Sequence, residues 1–412
     1  MFKTYTIITL LVALISHSQN TRQAQWLEDL NHYKTQLEKK HIDVYNKIPK
    51  AQFIKELDKI KLGISSKTDI EIIIDLMRLT RRIGDGHTAV SLSNIDKKIF
   101  PIEIKCFNGN WRVVKASKLY ENLLGLTLTN IDGIPIKTLA SAISEIAPYV
   151  ENKNSLEIRT GEYLTVSELL FGLGLTKHKN NANFTFTNDK GNIKSYTIHA
   201  IDSKTYQYET VFTSIYKESE KIIKPKNPRH DYLWFGPIQN TNAVYINFSA
   251  YPSYDEMQLF GQDLLNFINA NKSRQVVIDL RNNSGGDFFV GILLAYYLNL
   301  ADSIDWKHGV YILIDKATFS AATINATQYK EILNGTVVGL PTGSNPNGYQ
   351  DLGSFNLPNS NLTITYSKRL FRIQEKANQP LSPDVLIDYK WDDFKNGFDT
   401  MLEWIINDIL KQ

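Results

Sequence analysis

The chain has 412 residues, enough for two domains, and its 42% hydrophobic and 22% charged content is ordinary for a soluble globular protein. A formal net charge of only +3, with no dense Lys/Arg run interleaved with aromatics, gives no footprint for nucleic acid; the nearest approach, residues 221–229, reads as a solvated loop. The single cysteine, Cys106, rules out an intramolecular disulfide, and without any His-x-x-x-His or Cys-x-x-Cys spacing neither a metal nor a cofactor is expected.

In chain order, Lys3 precedes an apolar segment over residues 7–15, followed by the small-x-small pattern Ser16-His17-Ser18. The segment is short of the roughly 20 apolar residues a membrane span needs, so residues 1–18 read as a cleaved secretory signal. The mature chain is then expected to be exported, periplasmic or secreted, without stable membrane insertion. No cysteine lies near the cleavage point, which excludes lipid attachment there.

Residues 19–96 are predicted to form a helical domain. Trp26, Leu30, Tyr33 and Leu37 recur at helical spacing, as do Ile70, Ile73, Ile74 and Met77, with Thr68-Asp69 placed to cap the second run. The helices end just before His87, which puts that side chain in a turn. Residues 97–200 read as a β-rich module with strands at 111–114, 126–131, 184–186 and 195–198, a turn over 130–135 and an amphipathic stretch over 136–149. Cys106 falls in the alternating run 102–107 as a half-buried strand residue. Residues 201–240 are polar, proline-containing and aperiodic, and read as a linker.

From residue 241 to 412 the pattern changes. Strand-like runs at 244–248, 276–280, 310–314 and 336–339 alternate with helical ones at 257–268, 288–298 and 321–329. That alternation predicts an α/β fold with a βαβ core and a largely parallel, buried sheet. A strand at 362–366 and an amphipathic helix at 394–410 close the chain.

Two places in this core carry chemistry. The run Val276-Val277-Ile278-Asp279-Leu280 stops in Arg281-Asn282-Asn283-Ser284-Gly285-Gly286, a turn whose adjacent glycines free backbone N–H groups at the carboxyl end of a strand. The next strand leads through Thr318-Phe319 to Ser320-Ala321-Ala322, where a helix can begin. A serine hydroxyl is a weak nucleophile and needs a base beside it and fixed donors for the developing oxyanion. Ser320 is the candidate nucleophile, with the amides of Ala321 and of Gly285 or Gly286 as donors. The plainer alternative is a tight turn and a helix N-cap.

Four motifs in order, Asp85-Gly86-His87-Thr88, residues 279–286, residues 318–322 and Pro383-Asp384-Val385, resemble the tail-specific or C-terminal processing serine proteases and their tricorn relatives. The resemblance implies a crotonase-like (ClpP-like) core, a PDZ-like inserted module and hydrolysis of peptide bonds in C-terminal or unfolded protein segments. The Ser/Lys branch of that family places a lysine where this chain has Val337-Val338-Gly339-Leu340-Pro341-Thr342-Gly343-Ser344-Asn345, so the dyad lysine is absent. The tricorn-like branch uses a histidine and a glutamate, which carries His87 over as general base and Glu375 as its orienting carboxylate. In that branch a serine precedes the histidine, where this chain has Gly86. Asp85 and Asp351 are the alternative carboxylates, Asp85 more simply capping its own turn. Asp279 and Arg281 are placed to pair or to fix the glycine turn, and Tyr251 to line the cleft. His32, His41, His178, His199, His230 and His308 lack such a context. A rival reading on the same fold is a catalytically silent ligand- or peptide-binding protein, and a non-peptide acyl bond would call for the same groups.

Overall fold

The computed structural model describes residues 2–375 and 378–412, with side chains from Thr21 onward; the expected signal segment 1–18 therefore lies outside the residues whose side chains are described. Three helices open the chain, Phe2–Lys40, Lys50–Gly63 and Asp69–Arg81. The third begins in a capping box, in which Glu71 Oε2 accepts from the backbone N–H of Thr68 at 2.8 Å and from its hydroxyl at 2.7 Å. Of the apolar stripes read from spacing, Trp26, Leu30, Tyr33, Leu37, Ile73, Ile74 and Met77 are buried, with Ile70 half-buried, and Phe53 and Leu57 of the second helix join the same core.

A seven-stranded antiparallel sheet follows. Strands Phe212–Ser214, Asn110–Ser117, Thr127–Ile131, Asn181–Thr187 and Ile193–His199 lie side by side in that order, with Ile102–Phe107 paired to Asn110–Ser117 and Ile134–Pro135 to Thr127–Ile131. Each strand expected in this region matches one of these, the one expected over 126–131 beginning a residue later, and Cys106 is half-buried on Ile102–Phe107. The amphipathic stretch becomes the helix Ile136–Ser144, with Leu139 and Ile143 buried. The three N-terminal helices and this sheet share a single continuous core.

The expected linker is more ordered than its composition suggests. Phe212–Ser214 completes the seven-stranded sheet, and Leu233–Pro237 pairs antiparallel with Ala243–Phe248 as the edge of the next one. Both strands are too short for period-2 alternation to stand out, and pairing partners distant in sequence stabilise them.

The second sheet has six strands. Ala243–Phe248, Gln275–Asp279, Val310–Ile314, Thr336–Gly339 and Val385–Leu386 run parallel, with Leu233–Pro237 on the outer edge. Alternate residues of one strand face opposite layers. Val276 and Ile278 pack with Leu264, Leu294 and Tyr329 of the helices Tyr254–Asn271, Phe288–Asn299 and Ala321–Ile332. Val277 and its neighbours Tyr311 and Val338 pack instead on Met401, Ile405 and Ile409 of the helix Thr400–Ile409. Burial on both faces is why these strands read as unbroken apolar runs.

A long hairpin joins the two halves of the molecule. Gly348–Asn356 pairs with Thr363–Phe371, whose other edge takes up Ala89–Ser91, with Ala89 opposite Thr365. The hairpin tip is clasped to the first helix by Asp29, whose carboxylate accepts from the backbone N–H groups of Asn359 and Ser360 at 2.8 Å each. Among the described residues no helix is long and apolar enough to cross a membrane.

Candidate active site

Ser320 stands between a loop and the helix Ala321–Ile332, at φ 50° and ψ −125°. A non-glycine residue at positive φ carries about 1–3 kcal/mol of strain and persists only where its surroundings fix it. Here they do. The Phe319 N–H donates to the Asn283 carbonyl at 2.9 Å and the Thr318 hydroxyl to the Leu280 carbonyl at 2.9 Å. Asp315 Oδ1 gathers the amides of Asn282, Ala317 and Thr318 at 3.2, 2.9 and 3.1 Å. The Ser320 amide donates to the Ser344 hydroxyl at 2.7 Å, and that hydroxyl donates to Thr323 Oγ1 at 2.9 Å. The Ser320 amide is thus engaged by Ser344, in the segment 337–345 that has no lysine.

The glycine turn packs directly against this serine. Gly285 has φ +97°, and a Cβ there would lie 2.7 Å from Ser320 Cβ and 2.8 Å from the Phe319 carbonyl oxygen. Asn283, fully buried, holds the turn: its side chain donates to the Phe248 carbonyl at 2.7 Å and accepts from the Gly285 N–H at 2.9 Å. That bond corrects one expectation, because an amide tied into an Asx turn is not aimed at a substrate. The amides of Gly286 and Ala321 make no hydrogen bond among the described residues, and both residues line the same cleft as Ser320. Tyr251 does not line that cleft; it packs against the back of Gly286 and donates to Asn325 Oδ1 at 2.5 Å.

His87 reaches the serine from the other half of the molecule, with its Nε2 2.9 Å from Ser320 Oγ. Its turn is tied down by Asp85, whose Oδ1 accepts from the amides of His87 and Thr88 at 2.9 and 2.8 Å and from the Ser367 hydroxyl at 2.7 Å. Asp85 therefore caps its own turn, and its other oxygen meets His41 Nε2 at 3.0 Å in a fully enclosed pair. The His87 carbonyl accepts from the Thr365 hydroxyl at 2.7 Å. Burial pushes the His87 pKa below the usual histidine value, against the opposing pull of Asp85, the Tyr349 carbonyl and Asp351. A buried neutral imidazole is the protonation state a general base requires. Nδ1 is enclosed and forms no hydrogen bond among the described residues, although the Tyr349 carbonyl lies close enough to favour a proton there.

Glu375 is not brought to this pair. It is exposed, lies beyond the end of the hairpin strand at Phe371, and makes no hydrogen bond or ion pair with His87 among the described residues. The Pro-Asp motif serves the sheet edge: Asp384 Oδ2 accepts from the Val337 amide at 3.0 Å, and its Oδ1 pairs with Lys330. Asp351 does line the cleft, but its carboxylate is taken up by Lys368 at 3.0 Å and Arg369 at 3.1 Å. Asp279 and Arg281 pair as expected, at 2.5 Å, and Arg281 also binds Asp399 at 2.7 Å, which moors the C-terminal helix to the strand end.

One carboxyl beside the site went unmarked in the sequence. Glu151 sits where a Cβ on Gly86 would fall 3.0 Å from its Oε2 and a Cβ on Gly348 2.8 Å from its Oε1. Burial pushes its pKa up to about 8, against a backbone hydrogen bond from Asn345 and the charge of Lys47, and with Asp85 adding to the rise. Its position just ahead of a helix suggests only a capping segment, and no local pattern marks it. The cleft itself, about 740 Å³, is bordered by Gly86, Arg159, Phe288, Phe289 and Phe371 around Ser320.

No family model matches the chain and no curated protein matches it. Solved structures do. The structure of mature CPAF superposes with a TM-score of 0.69 at 12% identity, covering 95% of this chain and 98% of its own. Mature CPAF complexed with lactacystin gives a TM-score of 0.68 at 11% identity, over 94% and 98%. At such low identity the shared property is the fold, which extends over nearly the whole of both chains.

Proposed function

We propose that the chain is a serine-type peptidase of the tail-specific class, in its Ser/His rather than Ser/Lys form, acting outside the cytoplasm on C-terminal or unfolded segments of proteins. The observation that carries this reading is the 2.9 Å approach of His87 Nε2 to Ser320 Oγ, made across the two halves of the molecule onto a strained, fixed serine. The near-complete sharing of fold with mature CPAF supports it.

In this reading Ser320 Oγ attacks the substrate carbonyl carbon as its proton passes to His87 Nε2. The carbonyl oxygen takes up the negative charge and is met by the amides of Gly286 and Ala321. The tetrahedral adduct collapses with cleavage of the C–N bond, and His87 returns the proton to the leaving amine. An acyl ester remains on Ser320. Water then attacks the ester with His87 accepting its proton, the acid leaves, and the proton goes back to Ser320. Each amide donor contributes a factor of about 100 or more to such a step in known cases.

Covalent labelling of the full chain with a fluorophosphonate, read by intact and peptide mass spectrometry, tests it. The expected result is one adduct on Ser320, lost in Ser320→Ala and His87→Ala. A folded wild-type protein that takes no adduct, from this probe or from lactacystin, would favour the silent binding reading instead.

A further inference from the structure

Two buried polar atoms beside the site lack partners among the described residues, His87 Nδ1 and Glu151 Oε2. They belong to one small region. Glu151 is wedged between Gly86 and Gly348, the residues immediately before His87 and Tyr349, and the Tyr349 carbonyl is the group that faces Nδ1. Glycine at both positions is what admits the carboxyl, since a side chain at 86 or at 348 would occupy the volume of its oxygens. The segment is also rigid. Asn152 and Asn154 donate to the Thr342 carbonyl at 3.2 and 3.1 Å, and Asn152 also to Asn345 Oδ1 at 3.1 Å, which locks Glu151 to the loop that holds Ser320 through Ser344. Enclosed polar atoms left unpaired in an otherwise satisfied site call for a functional account.

We propose that Glu151 is the positioning carboxyl for His87, setting the orientation of its ring from the Nδ1 side in place of Glu375; the proposal rests on the peptidase reading above for its catalytic meaning, but not for its physical test. The charged and titratable groups facing Glu151 are Lys47 and Asp85, and those facing His87 are Asp85 and Asp351. With a pKa of about 8, Glu151 is neutral at pH 7; above that pH it becomes an anion in the same enclosed region as an imidazole that must carry a proton in the transition state. Its ionisation should therefore speed reaction at Ser320.

The experiment has two readouts on the full chain. The first is the fluorophosphonate labelling rate of Ser320 from about pH 5 to about pH 10 in wild type and Glu151→Gln, where glutamine imitates the neutral carboxyl. Wild type is expected to show one rise below the usual histidine pKa and a second, of roughly threefold to tenfold, centred near pH 8; Glu151→Gln keeps the first rise and loses the second. A purely structural role would lower the rate equally at every pH, and that result, or persistence of the second rise in Glu151→Gln, overturns the proposal. The second readout is the ¹³C-labelled His87 ring signal, assigned with His87→Gln and followed by NMR across the same pH range in a Ser320→Ala background, which needs no catalysis. A step near pH 8 that disappears with Glu151→Gln supports the coupling, and its absence from the Ser320→Ala protein overturns it. An NMR step without any Ser320 labelling would count against the peptidase reading while leaving the Glu151–His87 coupling standing.

Discussion

Replacing Gly285 with alanine would drive a methyl group to 2.7 Å from Ser320 Cβ on a backbone at φ +97°, so either the turn or Ser320 must move. The expected outcome is a fall in Ser320 labelling of about 100-fold, the scale of a lost oxyanion donor, because the Gly286 amide and Ser320 lose their mutual register. Gly133→Ala is the control: it also sits at positive φ, +84°, yet nothing lies within 4 Å of the added Cβ, so a stability loss of about 1 kcal/mol with unchanged labelling is expected. The labelling rates and melting temperatures of the two variants separate strain as such from strain at the site. At this scale, too, the acid limb of activity belongs. His87 is held below the usual histidine range by burial, so it stays neutral to lower pH than a free histidine, and the part of the fall in labelling rate that His87 itself controls should set in only below about pH 6.5.

Elements deliver these residues, and their junctions concentrate the energetic risk. The strand Gln275–Asp279 ends in a buried trio in which Arg281 bridges Asp279 at 2.5 Å and Asp399, the N-cap of the last helix, at 2.7 Å. Removing the guanidinium leaves two carboxylates enclosed without a counter-charge, which typically costs about 3–5 kcal/mol. Arg281→Met is accordingly expected to lower the urea midpoint strongly and to loosen the helix Thr400–Ile409. Hydrogen exchange localised to that helix and to the glycine turn would bear the account out; a stability within about 1 kcal/mol of wild type would contradict it.

Across the whole molecule, Asp85 is the point where three distant segments meet: His41 after the first helix, the His87 turn, and Ser367 on the long hairpin. Burial alone would raise its pKa, but the hydrogen bond and charge of His41, with the Ser367 hydroxyl and the His87 amide, hold it at about 2. A carboxyl depressed in the folded state adds stability that is fully present above its unfolded pKa of about 3.9 and is lost as pH falls toward the folded value. The contribution is about 2–3 kcal/mol at neutral pH and disappears between about pH 4 and about pH 2. Wild type and Asp85→Asn should therefore differ in unfolding free energy near neutrality and converge in acid. A gap that stays constant through that window would mean that Asp85 acts by shape rather than charge.

Much of this was legible in the chain as written. The buried sheet announced itself because strands covered on both faces must be apolar throughout, Ser320 and the glycine turn stood out because their chemistry needs those residue types beside those local elements, and His87 was picked out by the family resemblance of its motif. Local periodicity could equally place the helix caps and the strands of the β-rich region. What it could not reach depends on contacts between distant segments. The strands Phe212–Ser214 and Leu233–Pro237 exist by virtue of their partners, Gly285 lost its expected role to an Asn283 side chain, and Glu375 is exposed rather than against His87. The meeting of His87 with Ser320, and of Glu151 with Gly86 and Gly348, was decided by the hairpin that pairs Ala89–Ser91 with Thr363–Phe371. Sequence determines which groups are competent because competence is local chemistry; only the fold decides which competent groups touch, because touching is a property of packing.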